Sequence, residues 1–241
     1  MIDFKLFSNP QFSAGIVIAM LSMIIIVGIE LLLSQRLQLV MGFTPLHAAL
    51  YIIPIPIASV LAGPLTGAIL HKIGERRLTI FGLICTLAGV IGLTFVYQTS
   101  TGLTLFTFLL LIGFGIGMLF TIASTAVMLN APDEKAGVAA SVESVAYELG
   151  SVLGVTFMGG LMSAIYMIKL SLPDQLIVNN KVYDSLDEAL IISEHLPEKS
   201  AHILINQSYI AFDQAFSGVM IATIAILVLS ILFIPHFFRK N

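Results

Sequence analysis

The chain has 241 residues, 58% of them hydrophobic and 10% charged, with a formal net charge of −3 and a mean hydropathy of +1.02. An ordinary soluble domain is about 25% charged and roughly 45–50% apolar, so there is too little charge here to coat a soluble globule, and an integral membrane protein is the reading that remains. The 11 Lys and Arg residues are scattered without a basic stripe, which argues against nucleic-acid binding. A single cysteine, Cys85, excludes an internal disulfide framework, and neither a CxxC pair nor a Cys/His cluster is present to hold a metal.

From Leu78 to Pro132 no Asp, Glu, Lys or Arg occurs. As one helix this run would be about 80 Å long at 1.5 Å per residue, against a bilayer core of about 30 Å, so it must fold back. The polar break Gln98-Thr99-Ser100-Thr101-Gly102 is the place for the turn. Backbone groups in lipid must be satisfied within the segment, and no alternating strands suggest a barrel, so an all-α membrane protein is expected.

Six transmembrane helices are predicted, over 13–33, 46–70, 78–97, 103–129, 138–168 and 214–237. Residues 1–12 read as a cytoplasmic interfacial linker with an amphipathic Phe4-Lys5-Leu6-Phe7 stretch. Residues 13–168 hold the first five spans, 169–212 an extracellular or periplasmic loop, and 213–241 the last span and a short cytoplasmic tail. Pro45 suits the start of the second span, whereas Pro54, Pro56 and Pro64 lie inside it and should bend it. In the outer loop, Ser185-Leu-Asp-Glu188 has capping-box spacing, with Leu186, Leu190 and Ile191 as an apolar stripe. Pro197 then ends that helix or begins another, giving a helical hairpin that is either a gate or a simple connector.

Orientation follows from the cations. With both termini inside, Lys5, Lys72, Arg76, Arg77, Lys135, Arg239 and Lys240 are cytoplasmic, and Arg36, Lys169, Lys181 and Lys199 are outside. That asymmetry obeys the positive-inside rule.

Three carboxylates, Glu30, Glu143 and Glu148, fall within or at the edge of spans. An ionised carboxylate at the bilayer centre costs at least ~2.5–3.5 kcal/mol, and such groups normally face a bundle interior or a water-filled cavity. On a helix Ser141, Ser144, Glu148 and Ser151 form one polar stripe, and Glu143, Tyr147, Gly150 and Gly154 form another face. Glu148 is expected near mid-membrane, Glu143 nearer the cytoplasm and Glu30 nearer the outer surface. Burial favours the neutral form of a carboxyl and an arriving cation favours the ionised form, so one such group can exchange a proton for a cationic substrate. Glu148 is the leading candidate for that exchange, with Glu143 and Glu30 beside it and Tyr147, Ser144 and Ser151 supporting the cavity. The alternative for each is a structural carboxyl bonded to a hydroxyl. Gly113-Phe-Gly115-Ile-Gly117 lies mid-span without a preceding strand and reads as helix packing, not nucleotide binding. Gly63-x-x-x-Gly67 and Gly150-x-x-x-Gly154 read the same way. No nucleophile–base constellation suggests an enzyme, and no cofactor is expected.

Gly63-Pro-Leu-Thr-Gly67-Ala-Ile-Leu-His71-Lys72-Ile-Gly74-Glu75-Arg76-Arg77 resembles the cytoplasmic loop motif of the major facilitator superfamily. The stretch from Gln35 to Pro54 is similar to the segment between the ninth and tenth spans of its 14-span drug/proton antiporters, and Ala140 to Gly154 to their thirteenth span. The long outer loop before the last helix also matches. The resemblance implies one half-bundle of a major facilitator fold in a bacterial cytoplasmic membrane. It further implies proton-driven export of lipophilic cations such as quaternary ammonium compounds, dyes, viologens and biguanides, with proton and substrate roles for Glu30, Glu143 and Glu148. His71 stands where the family motif carries Asp, so this copy of the loop reads as mainly structural. Six spans correspond to about the ninth to fourteenth, as from a truncated or split reading frame. The expected partners are therefore the cations, protons, the lipid bilayer, and an N-terminal half or a second copy. A non-transporting fragment and a proton-independent six-helix channel are the competing readings.

Overall fold

The computed structural model describes residues 4–97, 102–173, 176 and 178–238. The expected turn residues Gln98 to Thr101 and the terminal cations Arg239 and Lys240 lie outside the described residues. Among those described there are helices, turns and no strand. Six helical stretches are long and apolar enough to cross a membrane: Pro10–Val40, Pro45–Ile73, Glu75–Val96, Leu103–Leu129, Asp133–Lys169 and Glu198–Phe237. Each overlaps one expected span, and most run further, because polar caps and charged ends prolong a helix beyond its apolar run.

Helix α1 (Pro10–Gln35) starts where Asn9 Oδ1 accepts the Gln11 N–H at 2.9 Å, with proline at the first helical position. It continues as a wider π turn over Arg36–Val40, and Gly42, at φ 68°, reverses the chain. Thr44 caps α2 (Pro45–Ile52) by accepting from the His47 N–H at 3.3 Å. Ile53 keeps helical dihedrals between α2 and α3 (Pro54–Ile73), but Pro54 and Pro56 lack N–H donors there, so the span is helical in two pieces. A single residue, Gly74 at φ 88° and ψ 150°, links α3 to α4 (Glu75–Val96). That conformation is essentially open only to glycine.

Helix α5 (Leu103–Leu129) is the centre of the bundle, packed against α1, α3 and α4. Its glycines let neighbouring backbones touch it: Gly113 lies on Ile55 and Gly117 on Ser59, both in α3, while Gly115 lies on Gly82 and Thr86 of α4. Small residues at such crossings are how membrane helices approach closely. Helix α6 (Ala136–Lys169) packs on the far side of α1, with Gly150 on Met20, Gly154 on Ile24 and Met158 seated on Gly28. The constant offset in these pairs means α1 and α6 run parallel. Gly67 behaves differently: a Cβ there would meet nothing within 4 Å, and at Gly63 only the Thr121 hydroxyl at 3.5 Å. Gly63 thus meets α5, its carbonyl 3.5 Å from the Thr121 hydroxyl, whereas the packing expected of Gly67 is not made within this bundle, because that side of α3 faces outward.

After α6 the chain forms a turn over Asn180–Tyr183 and then α7 (Leu186–Ser193), where the Glu188 N–H reaches Ser185 Oγ at 3.5 Å. Leu186, Ala189 and Ser193 are buried while Ile191 is exposed, so the buried face of α7 is offset from the apolar stripe. Pro197 begins α8 (Glu198–Phe233), one helix of 36 residues that carries the chain from the loop through the last span. Helix α8 closes the bundle against α4 and α6, and α7 rests on it.

Candidate functional site

Helix α6 carries two carboxylates in opposite settings. Glu143 is buried: Tyr147 Oη donates to its Oε1 at 3.0 Å and Ser124 Oγ of α5 to its Oε2 at 3.5 Å. The donor Tyr147 is one helical turn along, on the same face, and is held edge-on by Phe120 with ring centroids 5.5 Å apart. Hydroxyl donors on both oxygens satisfy this carboxyl within the bundle.

Glu148 lies on the exposed side of α6, in line with Ser141, Ser144 and the half-buried Ser151. Among the described residues it has no hydrogen-bond or ion-pair partner. The three serines turn their hydroxyls onto carbonyls four residues back, those of Gly137, Ala140 and Tyr147, at 2.8, 3.0 and 3.1 Å. They satisfy themselves and leave the carboxylate unengaged. The structure therefore groups Glu143 with Tyr147 and Ser124, and Glu148 with the serine stripe.

Glu30, half-buried on α1, belongs to neither group. Contacts of Met20 with Gly150, Ile24 with Gly154 and Gly28 with Met158 set the register. They put Glu30 level with Gly160, about 18 Å along the axis from Glu148 at 1.5 Å per residue. The loop-motif residues His71, Lys72, Gly74, Arg76 and Arg77 line an open cavity of about 1120 Å³ at the other end of α3, with Gly67, Gln11, Glu75 and Thr125.

A further polar cluster escaped the sequence reading. Arg36 Nε bonds Asp213 Oδ1 at 3.1 Å, and Arg36 is buried, its guanidinium 4.8 Å above the Tyr97 ring. Tyr97 Oη donates to the Asp213 carbonyl at 3.0 Å and lies 2.7 Å from Ser217 Oγ. This cluster ties α1, α4 and α8 together at one end of the bundle. Arg36 counted only as an outer-loop cation, and Asp213 lay just outside the expected last span. The available signal was an acid embedded in Tyr209-Ile-Ala-Phe212-Asp213 with a lone arginine at the same end of another span.

A six-helix membrane bundle with one unengaged carboxylate, Glu148, on an outer face and a glycine-linked basic loop at one end fits the class of membrane transporters. Residues 3–155 match the Major Facilitator Superfamily, and the chain belongs to it. It is 31% identical over 214 residues to the methyl viologen resistance protein SmvA of Salmonella typhimurium, an alignment that covers 88% of this chain and 43% of that protein. It is also 27% identical to the multidrug efflux pump LfrA of Mycolicibacterium smegmatis, over 90% of this chain and 44% of the relative. A third relative, the multidrug resistance protein Stp of Mycobacterium tuberculosis, is 31% identical over 68% of this chain and 30% of its own length. The chain thus spans less than half the length of these relatives.

Proposed function

We propose that the chain forms one wall of a proton-coupled exporter of lipophilic cations, with the face of α6 that carries Glu148 lining the transport cavity. The observation behind this is Glu148 itself, exposed on a membrane-spanning helix and without a partner among the described residues. An ionised carboxylate facing lipid costs at least ~2.5–3.5 kcal/mol, so such a face is stable only beside a water-filled cavity or a second bundle. The cover is an N-terminal half or a second copy, in keeping with the coverage of the relatives and with transporters whose site lies between rocking bundles.

In this reading the cation meets Glu148 and displaces a proton from it. When the cation leaves outward, a proton returns from outside and the cycle resets. Glu143, with Tyr147 and Ser124, serves as a second proton site within the bundle, while Glu30 stands toward the outer exit. Both termini are cytoplasmic, in a bacterial inner membrane. The names of the relatives support export of drugs and of a viologen; quaternary ammonium compounds, dyes and biguanides share the delocalised charge and apolar body that such a site would accept.

The test is efflux of a fluorescent lipophilic cation from cells expressing the chain, alone and with the N-terminal spans of a relative supplied separately. Efflux that needs the proton gradient and is lost in Glu148→Gln is the expected result. Equal efflux from Glu148→Gln would remove that residue from the mechanism. Gradient-independent flux through the chain would favour a channel, and no flux with either arrangement a non-transporting bundle.

A further inference from the structure

We propose that the outward groove between α3 and α4 binds an anionic phospholipid, with the headgroup on Lys72, Arg76 and Arg77 and an acyl chain along Leu65, Ile69 and Phe81. The two helices are joined by Gly74 alone, yet they diverge and leave a groove of about 430 Å³ floored by Phe114 and Met118 of α5. Its walls are apolar, and the one buried hydroxyl on it, Thr66, already donates to the Ala62 carbonyl at 2.7 Å. No polar ligand is called for along this length, and an alkyl chain fits.

The end of the groove has the opposite chemistry. Arg77 lines both the groove and the neighbouring basic cavity, and so joins the apolar channel to the cations of the turn. Lys72, Arg76 and Arg77 form no ion pair or hydrogen bond among the described residues. Glu75 is the one carboxylate lining that cavity, so the turn carries three cations against one anion, +2 with His71 neutral. A one-residue turn between two spans lies at the membrane surface, at the depth of lipid phosphates, where clustered cations between helices recognise anionic headgroups. An apolar channel ending in unpaired cations at that depth matches a lipid with one negative charge on its head. A neutral lipid leaves the cations unanswered, and a soluble anion leaves the groove empty.

The chain contains no tryptophan, so one introduced indole reports a single place. Phe81→Trp puts it in the groove, and Phe157→Trp, on exposed α6, serves as the reference site. Each variant is reconstituted in vesicles of phosphatidylcholine containing increasing brominated phosphatidylglycerol or, separately, brominated phosphatidylcholine. At Phe81→Trp the anionic quencher should be preferred several-fold, with roughly five-fold per cation that reaches the headgroup as the upper scale. Adding Arg77→Gln should bring the preference close to one, while Arg77→Lys should keep most of it. Phe157→Trp should show no preference. Circular dichroism of each variant confirms that the helices are intact. Equal quenching by both lipids at Phe81→Trp, or a preference that survives Arg77→Gln and appears equally at Phe157→Trp, would overturn the assignment.

Discussion

Helices α5 and α6 follow one another in the chain, and both are apolar enough to cross a membrane, yet their surroundings are opposite. In α5, 56% of the most apolar stretch is buried inside the bundle; in α6 the figure is 22%. Helix α5 has no charged residue, and its glycines meet backbone of α3 and α4. Helix α6 spends Gly150 and Gly154 on a single neighbour, α1, and turns Glu148 and three serines away from the bundle. A helix that is used up by its neighbours holds a fold together. One that keeps a polar face unspent has something else to meet, and the chemistry is to be sought there.

The contrast can be broken from either side. Glu148→Gln should cause the largest change, reducing gradient-coupled efflux to background while protein in the membrane stays at its normal level; transport assays with matched immunoblots decide this. Gly117→Leu should damage the fold and not the chemistry, because the new side chain runs into the Ser59 backbone. Overpacking of this kind typically costs about 1–3 kcal/mol, and a rigid backbone neighbour puts it at or above the top of that range, read as lost expression and a lower Tm in detergent.

The polar cluster at the far end sharpens the comparison, since its charges are paired where Glu148 is not. Arg36→Met should cost roughly 3 kcal/mol by stranding Asp213, and the double replacement Arg36→Met with Asp213→Leu should recover much of it. Equal Tm values for the single and double variants would mean that the pair does not act as a unit. Gly74→Ala should cost about 1–3 kcal/mol through backbone strain alone, since a Cβ there would touch nothing within 4 Å. Smallest is Thr44→Ala, about 1 kcal/mol for a lost cap at α2, measured by the same thermal shift.

The helices themselves were legible because a membrane imposes a length and an apolarity that few other constraints counterfeit. The reading of Gly113, Gly115 and Gly117 as packing residues followed from their position mid-span, and each sits against a neighbouring backbone or Thr86. Two kinds of information were out of reach. One was which side of a helix faces inward: the sequence put Gly63 and Gly67 in the same class as Gly150 and Gly154, yet Gly67 faces open space. The other was pairing between distant ends. The separation of 177 positions from Arg36 to Asp213 hides their bond, since each alone reads as an ordinary charge at a span boundary. For the candidate site, spacing on α6 separated the face of Glu143 and Tyr147 from that of Glu148, but Ser124, on another helix, could not be foreseen as a partner.

Helix α8 has a mechanical consequence. Its 36 residues make a rod of about 54 Å, well beyond a bilayer core of about 30 Å. The arm ahead of Asp213 is about 22 Å long, and α7 rests on it. With Asp213 pinned by Arg36 as a fulcrum, a 10° tilt of the buried part swings the tip of that arm by about 4 Å. A tilt of the last span would therefore be carried into the loop, as between the two ends of a lever.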